Sequence, residues 1–404
     1  MKIINLSTND FGGAGKAAVR IHQAQLKNGF DSLLYVKKKT TKLDSIIEIP
    51  ARNYISSFNQ LLKKILNRVF IYRKKYLMYS VNDYSTQNYC QKIIALHQKV
   101  DMIIIHWVAG FVGIEDLFEL TKKYPNKVFW FSMDMAPITG GCHFSYECEE
   151  YKCLCKKCPA DIWGLSQPQR NLARKKELFN SHSIKHIAPN KFVFSTLKKT
   201  YKSYLMYIPI DENIFFPKKK ELENGALKLL FGSINLNDYR KGAHFFIKTM
   251  QLLNNIIGKE KIEIHLVGND VPKELNDLSF KIVKHRYAKS EESLSFIYQQ
   301  VDIFICCSVQ DSGPMMVSEA LMSGVPTIAY EVGICPEIIM DGVNGFLIKT
   351  RDIEAMANKI LEVTNKKYDL QQMKLNARKS ATETLSIKSN KGFYLTITSS
   401  NPTE

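Results

Sequence analysis

Short apolar runs rich in Ile, Val and Phe alternate along the chain with longer stretches in which apolar residues recur every three to four positions. The first pattern suits strands buried on both faces and the second suits amphipathic helices, so together they predict parallel sheets covered by helices. Strands are expected at KIINLS from Lys2, SLLYV from Ser32, MIIIHW from Met102, KVFWFS from Lys127 and SIKHIA from Ser183. A second series runs through LKLLFG from Leu227, KIEIHLVG from Lys261, FKIV from Phe280, DIFICCS from Asp302 and VPTIAY from Val325. Two such series require two sheets. Between them lies MYIPIDENIFFPKKK, with two prolines and a closing run of lysines, which reads as a hinge. The expected organisation is an α/β domain over residues 1–205, a hinge over 206–220, a second α/β domain over 221–385 and a terminal segment over 386–404.

One segment departs from this plan. Phe58, Leu61, Leu62, Ile65, Leu66, Val69 and Phe70 fall at helical spacing, Lys63, Lys64, Asn67 and Arg68 take the other side, and Arg73, Lys74 and Lys75 follow. A basic amphipathic helix over 58–75 can lie on an anionic membrane surface, or pack on its own domain with its lysines solvated.

Composition narrows the classes. A chain of 404 residues, 45% hydrophobic and 24% charged, is long enough for two cores and excludes intrinsic disorder. With 56 Lys+Arg against 39 Asp+Glu the formal charge is +17, which attracts anions such as nucleic acid, anionic lipid or phosphorylated small molecules. No run approaches 18 apolar residues, and MKIINLS reads as a first strand with no basic n-region or apolar h-region before it. The expected location is the cytoplasm, with attachment to the inner face of the plasma membrane through 58–75 as its peripheral form. Nine cysteines are then expected to stay reduced.

Three loops carry candidate chemistry. TNDFGGAGKAAVRIH places Gly12, Gly13 and Gly15 between a strand and a helix, where backbone amides suit phosphate. It is no Walker loop. Gly13, Gly15 and Ala18 fit the dinucleotide spacing, but Lys37, Lys38 and Lys39 stand where that fold carries an acidic ribose ligand, so a nicotinamide oxidoreductase is disfavoured. LLFGSINLNDYRKGAHFF puts Arg240 and Lys241 in a strand-to-helix loop, positioned to neutralise a diphosphate. CSVQDSGPMMVSEALMSGVPTIAY sets Asp311 past a strand, Gly313 and Pro314 at a helix start and Glu319 eight positions after Asp311. Both carboxylates can face a polar ligand, sugar or ribose hydroxyls are suitable donors to them, and the amides of Met315 and Met316 can meet a phosphate or the sugar.

These residues resemble the E-x7-E signature of retaining GT-B glycosyltransferases of family 4, of the cell-surface polysaccharide biosynthesis type. ALMSGVPTIAYEVG and DGVNGFL follow it, and the earlier RKG, VDMIIIHW and glycine loop fall in the family's order. The resemblance covers Met1 to about Tyr394. It implies an α/β fold of two Rossmann-like domains facing each other across a cleft, the C-terminal helix crossing back to the first. It also implies transfer of a sugar from a UDP- or GDP-linked donor to a hydroxyl of a surface glycan, which can be lipid-linked, with no catalytic divalent metal. Glu319 would hold the ribose, Lys241 with Arg240 the diphosphate, Gly12 and Gly13 would close over the phosphates, and Asp311, Gly313, Met315 and Met316 would line the donor. Asp311 departs from the family's Glu, Ser233 from a second Arg, and Met133 from the His that precedes Asp134 in relatives. Asp134, His106 and His143 remain as acceptor-side groups.

Five cysteines, Cys142, Cys148, Cys153, Cys155 and Cys158, fall in seventeen residues and suit tetrahedral zinc, with free or redox-active thiols as the alternative. By the same resemblance the ligands would be Cys142, Cys148, Cys155 and Cys158, a structural site in the loop 142–158. Two rival functions follow from the departures and the charge: a sugar-nucleotide binder without catalysis, and a zinc-bearing nucleic-acid binder, which has no use for Asp311 and Glu319. No nucleic-acid partner is expected on the glycosyltransferase reading, and the oligomeric state is not indicated.

Overall fold

In a computed structural model of the protein the described residues are 1–49, 89–161, 164, 166–181, 184–218, 225–288 and 290–399. The amphipathic segment expected over 58–75 lies outside them, as do the ends of the expected hinge and of the terminal segment. The chain forms two compact units, one built mainly from Met1–Pro189 and Val193–Met206, the other from Asn190–Phe192 and Tyr207–Ile397. Among the described residues no helix is long and apolar enough to cross a membrane.

The first unit runs β1 (Lys2–Asn9), α1 (Gly12–Lys27), β2 (Asp31–Lys38), β3 (Ile46–Glu48), α2 (Tyr89–Leu96), β4 (Met102–Ile105), α3 (Ile114–Lys123), β5 (Val128–Phe131), α4 (Gln167–Ser181), β6 (Lys185–Ala188), α5 (Lys191–Leu197) and β7 (Ser203–Leu205). Its seven strands pair in the order β3-β2-β1-β4-β5-β6-β7, every pair parallel. Strands β4, β5 and β6 are buried at all four positions, as expected of strands covered by helices on both faces. Ile4, Leu6, Ile103 and Ile105 share one apolar cluster with Leu117, Leu120 and Leu178 from α3 and α4.

The second unit continues with β8 (Leu227–Asn235), α6 (Ala243–Asn254), β9 (Ile262–Asn269), β10 (Lys281–His285), α7 (Glu291–Tyr298), β11 (Ile303–Cys306), α8 (Met315–Met322), β12 (Thr327–Tyr330), α9 (Cys335–Ile338), β13 (Gly345–Ile348), α10 (Ile353–Thr364), α11 (Leu370–Leu385) and α12 (Lys391–Ser399). The sheet order is β10-β9-β8-β11-β12-β13, again all parallel. Strand alternation divides its core. Leu229, Phe231, Ile303 and Ile305 face α6 and α10, whereas Leu230, Phe304 and Cys306 face α8 and α11. Arg378 on α11 donates to the carbonyls of Phe215 and Met322, each at 2.6 Å, and so fixes the last turn of α8.

All ten expected strands form. The three not expected, β3, β7 and β13, have three or four residues each. In both units the chain leaves the first strand in one direction across the sheet and returns on its other side, so β1 and β4, and likewise β8 and β11, flank a topological switch. Open parallel sheets bind ligands at the carboxyl ends of such strand pairs.

Candidate donor and acceptor sites

In the second unit the switch brings together two loops that are 70 residues apart. Lys241 closes a 3-10 turn, Tyr239–Lys241, after β8, and its ammonium pairs with the Asp311 carboxylate after β11. Asp311 also accepts the Gly313 N–H at 3.1 Å. The side chains are 29% and 11% exposed, so solvent screens the pair only in part. Burial pushes the Asp311 carboxyl up, but Lys241 and the Gly313 amide outweigh it and hold it below the usual carboxylate range. Burial likewise works against the Lys241 charge, and Asp311 more than restores it.

Gly242 makes this meeting possible. Its φ is +75°, and a Cβ there would stand 1.8 Å from the Cys307 carbonyl oxygen. The loop therefore rests directly on the backbone after β11, and the Val309 N–H donates to the Arg240 carbonyl at 2.8 Å. Gly242→Ala is expected to cost about 2–4 kcal/mol in urea unfolding, through strain and displaced backbone together. Gly225→Ala, where a Cβ meets nothing within 4 Å, is the control and should stay within about 0.5 kcal/mol.

Arg240 differs from expectation. It is buried, and its guanidinium is engaged by Asp238 at 2.6 Å, the residue that also caps the turn through the Arg240 N–H. A partner two residues away satisfies Arg240, which braces the loop and leaves Lys241 as the cation beside Asp311. Ser233, in place of a second arginine, donates to the Asn235 carbonyl at 2.7 Å.

Helix α8 begins at Met315 with Pro314 at its N-cap, which supplies no side-chain acceptor to the first-turn amides, and no acid lies in that turn. Met315 and Met316 thus sit at the positive end of the helix dipole, beside Asp311 and Gly313, where an anion is favoured. Glu319 lies within the helix, 3% exposed, and the hydroxyl of the fully buried Tyr298 on α7 donates to it at 2.9 Å. Tyr298 escaped the sequence reading. The signal for it was indirect: a buried carboxylate demands a donor, and α7 supplies one from 21 residues upstream.

In the first unit Gly12 has φ +74°, and a Cβ at Gly15 would approach the Asn9 carbonyl oxygen to 2.6 Å, so the first serves the turn and the second the contact of α1 with β1. Gly13 shows neither requirement. Phe11, the N-cap of α1, provides no side-chain cap, and the first turn again lacks an acid.

The acceptor-side candidates separate. His106 is 1% exposed, and its Nε2 lies 3.0 Å from Asn5 Oδ1 within a buried network in which Asn5 donates to Gln25 at 2.7 Å and Ser32 at 3.1 Å. Burial lowers its pKa to about 3, so it is neutral and moves no proton near neutrality, which corrects the expected catalytic role. Asp134 is half-buried. One oxygen accepts the Ala136 N–H at 2.8 Å, the other lies 2.5 Å from His143 Nδ1, and Trp107 Nε1 is 3.1 Å from that same nitrogen. His143 therefore stands beside Asp134 where Met133 does not.

The cysteine expectation is also corrected. Among the described residues no group of three or more His, Cys, Asp or Glu side chains is arranged to hold a metal ion. Burial, with Cys158, Cys155 and Cys148 nearby, pushes the Cys142 thiol well up; burial lifts Cys155 to about 11 and raises Cys158. Buried neighbours of like charge favour protonated thiols, whereas zinc takes thiolates. Cys153 is exposed, and Cys306 and Cys307 are buried in the core as free thiols.

Comparison with known proteins places this geometry. Residues 215–380 match the family described as Glycosyl transferases group 1. This segment belongs to the group 1 glycosyltransferases. WcaC of Escherichia coli, named for glycosyl transfer in colanic acid biosynthesis, is 22% identical over 81% of this chain and 82% of its own. Sucrose-phosphate synthase from Thermosynechococcus elongatus aligns over 99% of this chain and 100% of that one, with a TM-score of 0.69 at 13% identity. HepE of Anabaena, solved with UDP, aligns over 99% and 100% at TM-score 0.65 and 14% identity. At such identities the likeness shows the fold, which is GT-B. The group 1 segment contains β8, α8 and the Lys241–Asp311 pair.

Proposed function

We infer that this chain is a retaining glycosyltransferase that moves a sugar from a UDP- or GDP-linked donor to a hydroxyl of a surface-glycan acceptor. The observation that carries this is the pairing of Lys241 with Asp311 at the open end of α8, with Glu319 buried in the same helix. A group 1 segment around that pair and a GT-B neighbour solved with UDP support it.

The donor diphosphate replaces Asp311 as the main partner of Lys241 and lies against the first turn of α8, while Glu319 accepts the ribose hydroxyls. Asp311, still adjacent, faces the donor sugar. As the bond from the anomeric carbon to the phosphate oxygen breaks, the acceptor oxygen bonds to that carbon on the same face. The leaving phosphate oxygen takes the acceptor proton, so the products are a nucleoside diphosphate and the extended glycan. Lys241 and the helix amides stabilise the charge that grows on the departing phosphate. The acceptor is carried on a lipid in the form we favour; full activity on a soluble acceptor together with none on its lipid-linked counterpart would contradict that part.

A thermal-shift screen against UDP-, GDP-, ADP- and CMP-sugars tests the donor class. At roughly 100 times its Kd the true donor should raise the melting temperature by about 5–10 °C. No shift from any of them, with no turnover, would refute the assignment.

A further inference from the structure

The first unit contains a pocket of its own, whose lining includes His106, Trp107, Trp130, Asp134 and His143. The polar part of that lining is rich in hydrogen-bond acceptors. Asn5 spends its amide N–H groups on Gln25 and Ser32, so its oxygen receives the His106 Nε2–H, and His106 Nδ1 is left bearing the lone pair. That nitrogen is buried and has no partner among the described residues. A buried acceptor without a donor is costly, and a ligand hydroxyl would satisfy it. Asp134 adds carboxylate oxygens. Lys175, also in the lining and 1% exposed, donates to the carbonyls of Ala136 at 2.9 Å and Thr139 at 3.2 Å, so its ammonium is committed to the loop.

An aromatic wall with acceptors beside it fits a ring that has apolar C–H faces and donating hydroxyls at its edge. Resting on the glycosyl-transfer reading, we propose that this pocket holds the acceptor's terminal sugar, and that it selects a neutral hexose over a phosphorylated or carboxylated one. The sugar lies against Trp107 and Trp130 and donates hydroxyls to His106 Nδ1 and Asp134. A sugar carrying an anion would face a carboxylate and an imidazole lone pair while the nearest ammonium is already engaged. His106 and Asp134 are thus specificity-determining groups for the acceptor.

Because two tryptophans line the pocket, emission titrations on the full chain report occupancy without donor or turnover. The probes are the methyl glycosides of glucose, galactose, mannose and N-acetylglucosamine, with glucose 6-phosphate as the anionic counterpart. At least one neutral glycoside should change the emission saturably, and glucose 6-phosphate should bind at least about tenfold more weakly. Asp134→Asn should weaken the neutral glycoside by about tenfold and raise the acceptor KM while leaving the donor KM unchanged. His106→Gln, which keeps an amide N–H for Asn5, should do the same. Equal binding of glucose 6-phosphate, or no response to any neutral glycoside, overturns the assignment even if the wild-type panel is the only one that folds. Nucleotide-sugar thermal shifts on the same sample separate the two readings: donor binding without glycoside binding removes the pocket alone, and no donor binding removes the reading beneath it.

Discussion

Lys241→Met should lower kcat/KM for donor transfer by about 10²–10³-fold, the loss typical of one electrostatic contact made to developing transition-state charge. The expectation follows from its position. Lys241 is the cation that pairs with Asp311, because Asp238 already engages Arg240. Removing it also leaves the Asp311 carboxylate, 11% exposed, without its main counter-charge. With screening allowed for, the stability loss should be about 1–2 kcal/mol at neutral pH. The pH dependence has a definite sign. The folded Asp311 carboxyl is held below its ordinary value, so its contribution is present above about pH 4 and is lost as the pH falls through the folded value. Wild type and variant should therefore differ most in urea midpoint near neutrality and converge in acid. A difference that grows below pH 4 would show that Lys241 does not depress Asp311.

Glu319→Ala should abolish the thermal shift produced by the donor and weaken its binding by roughly 10–100-fold, the worth of a hydrogen bond to a charged group. Because Glu319 is 3% exposed and accepts the Tyr298 hydroxyl, the ligand-free protein should also lose about 1–3 kcal/mol. Glu319→Gln separates the effects. The amide keeps an acceptor for Tyr298, so folding should be largely retained while donor affinity falls. If Glu319→Ala unfolds earlier but binds the donor as tightly as wild type, Glu319 is a structural acid and the ribose contact lies elsewhere.

The strands were legible because burial on both faces writes a continuous apolar run, as in MIIIHW and DIFICCS. Strand β13 is four residues beginning at Gly345, where a Cβ would reach the Thr327 carbonyl oxygen, so its place rests on tertiary contact and not on pattern. The donor side was legible for a similar reason: Lys241 and Asp311 each follow a clear strand, and adjacent strands at a switch bring their loops together. What spacing cannot show is who satisfies whom. Arg240 looked like a phosphate ligand until Asp238 claimed it, and His106 looked like a base until Asn5, 101 residues earlier, fixed it as a neutral buried ring. The clustered cysteines suggested zinc by density alone, whereas the fold buries several of them as thiols without ligand geometry among the described residues. In each case the deciding term was desolvation and partnering in three dimensions, which residue type and interval do not encode.

The central claim is that the second unit grips a nucleoside diphosphate-sugar through Lys241 and Glu319, and calorimetric titration of UDP-glucose and GDP-mannose into wild type and Lys241→Met tests it most directly. Saturable one-to-one binding of one of these donors, weakened at least about tenfold in the variant, is the expected result. Binding of neither compound, or binding whose strength the substitution leaves unchanged, would contradict it.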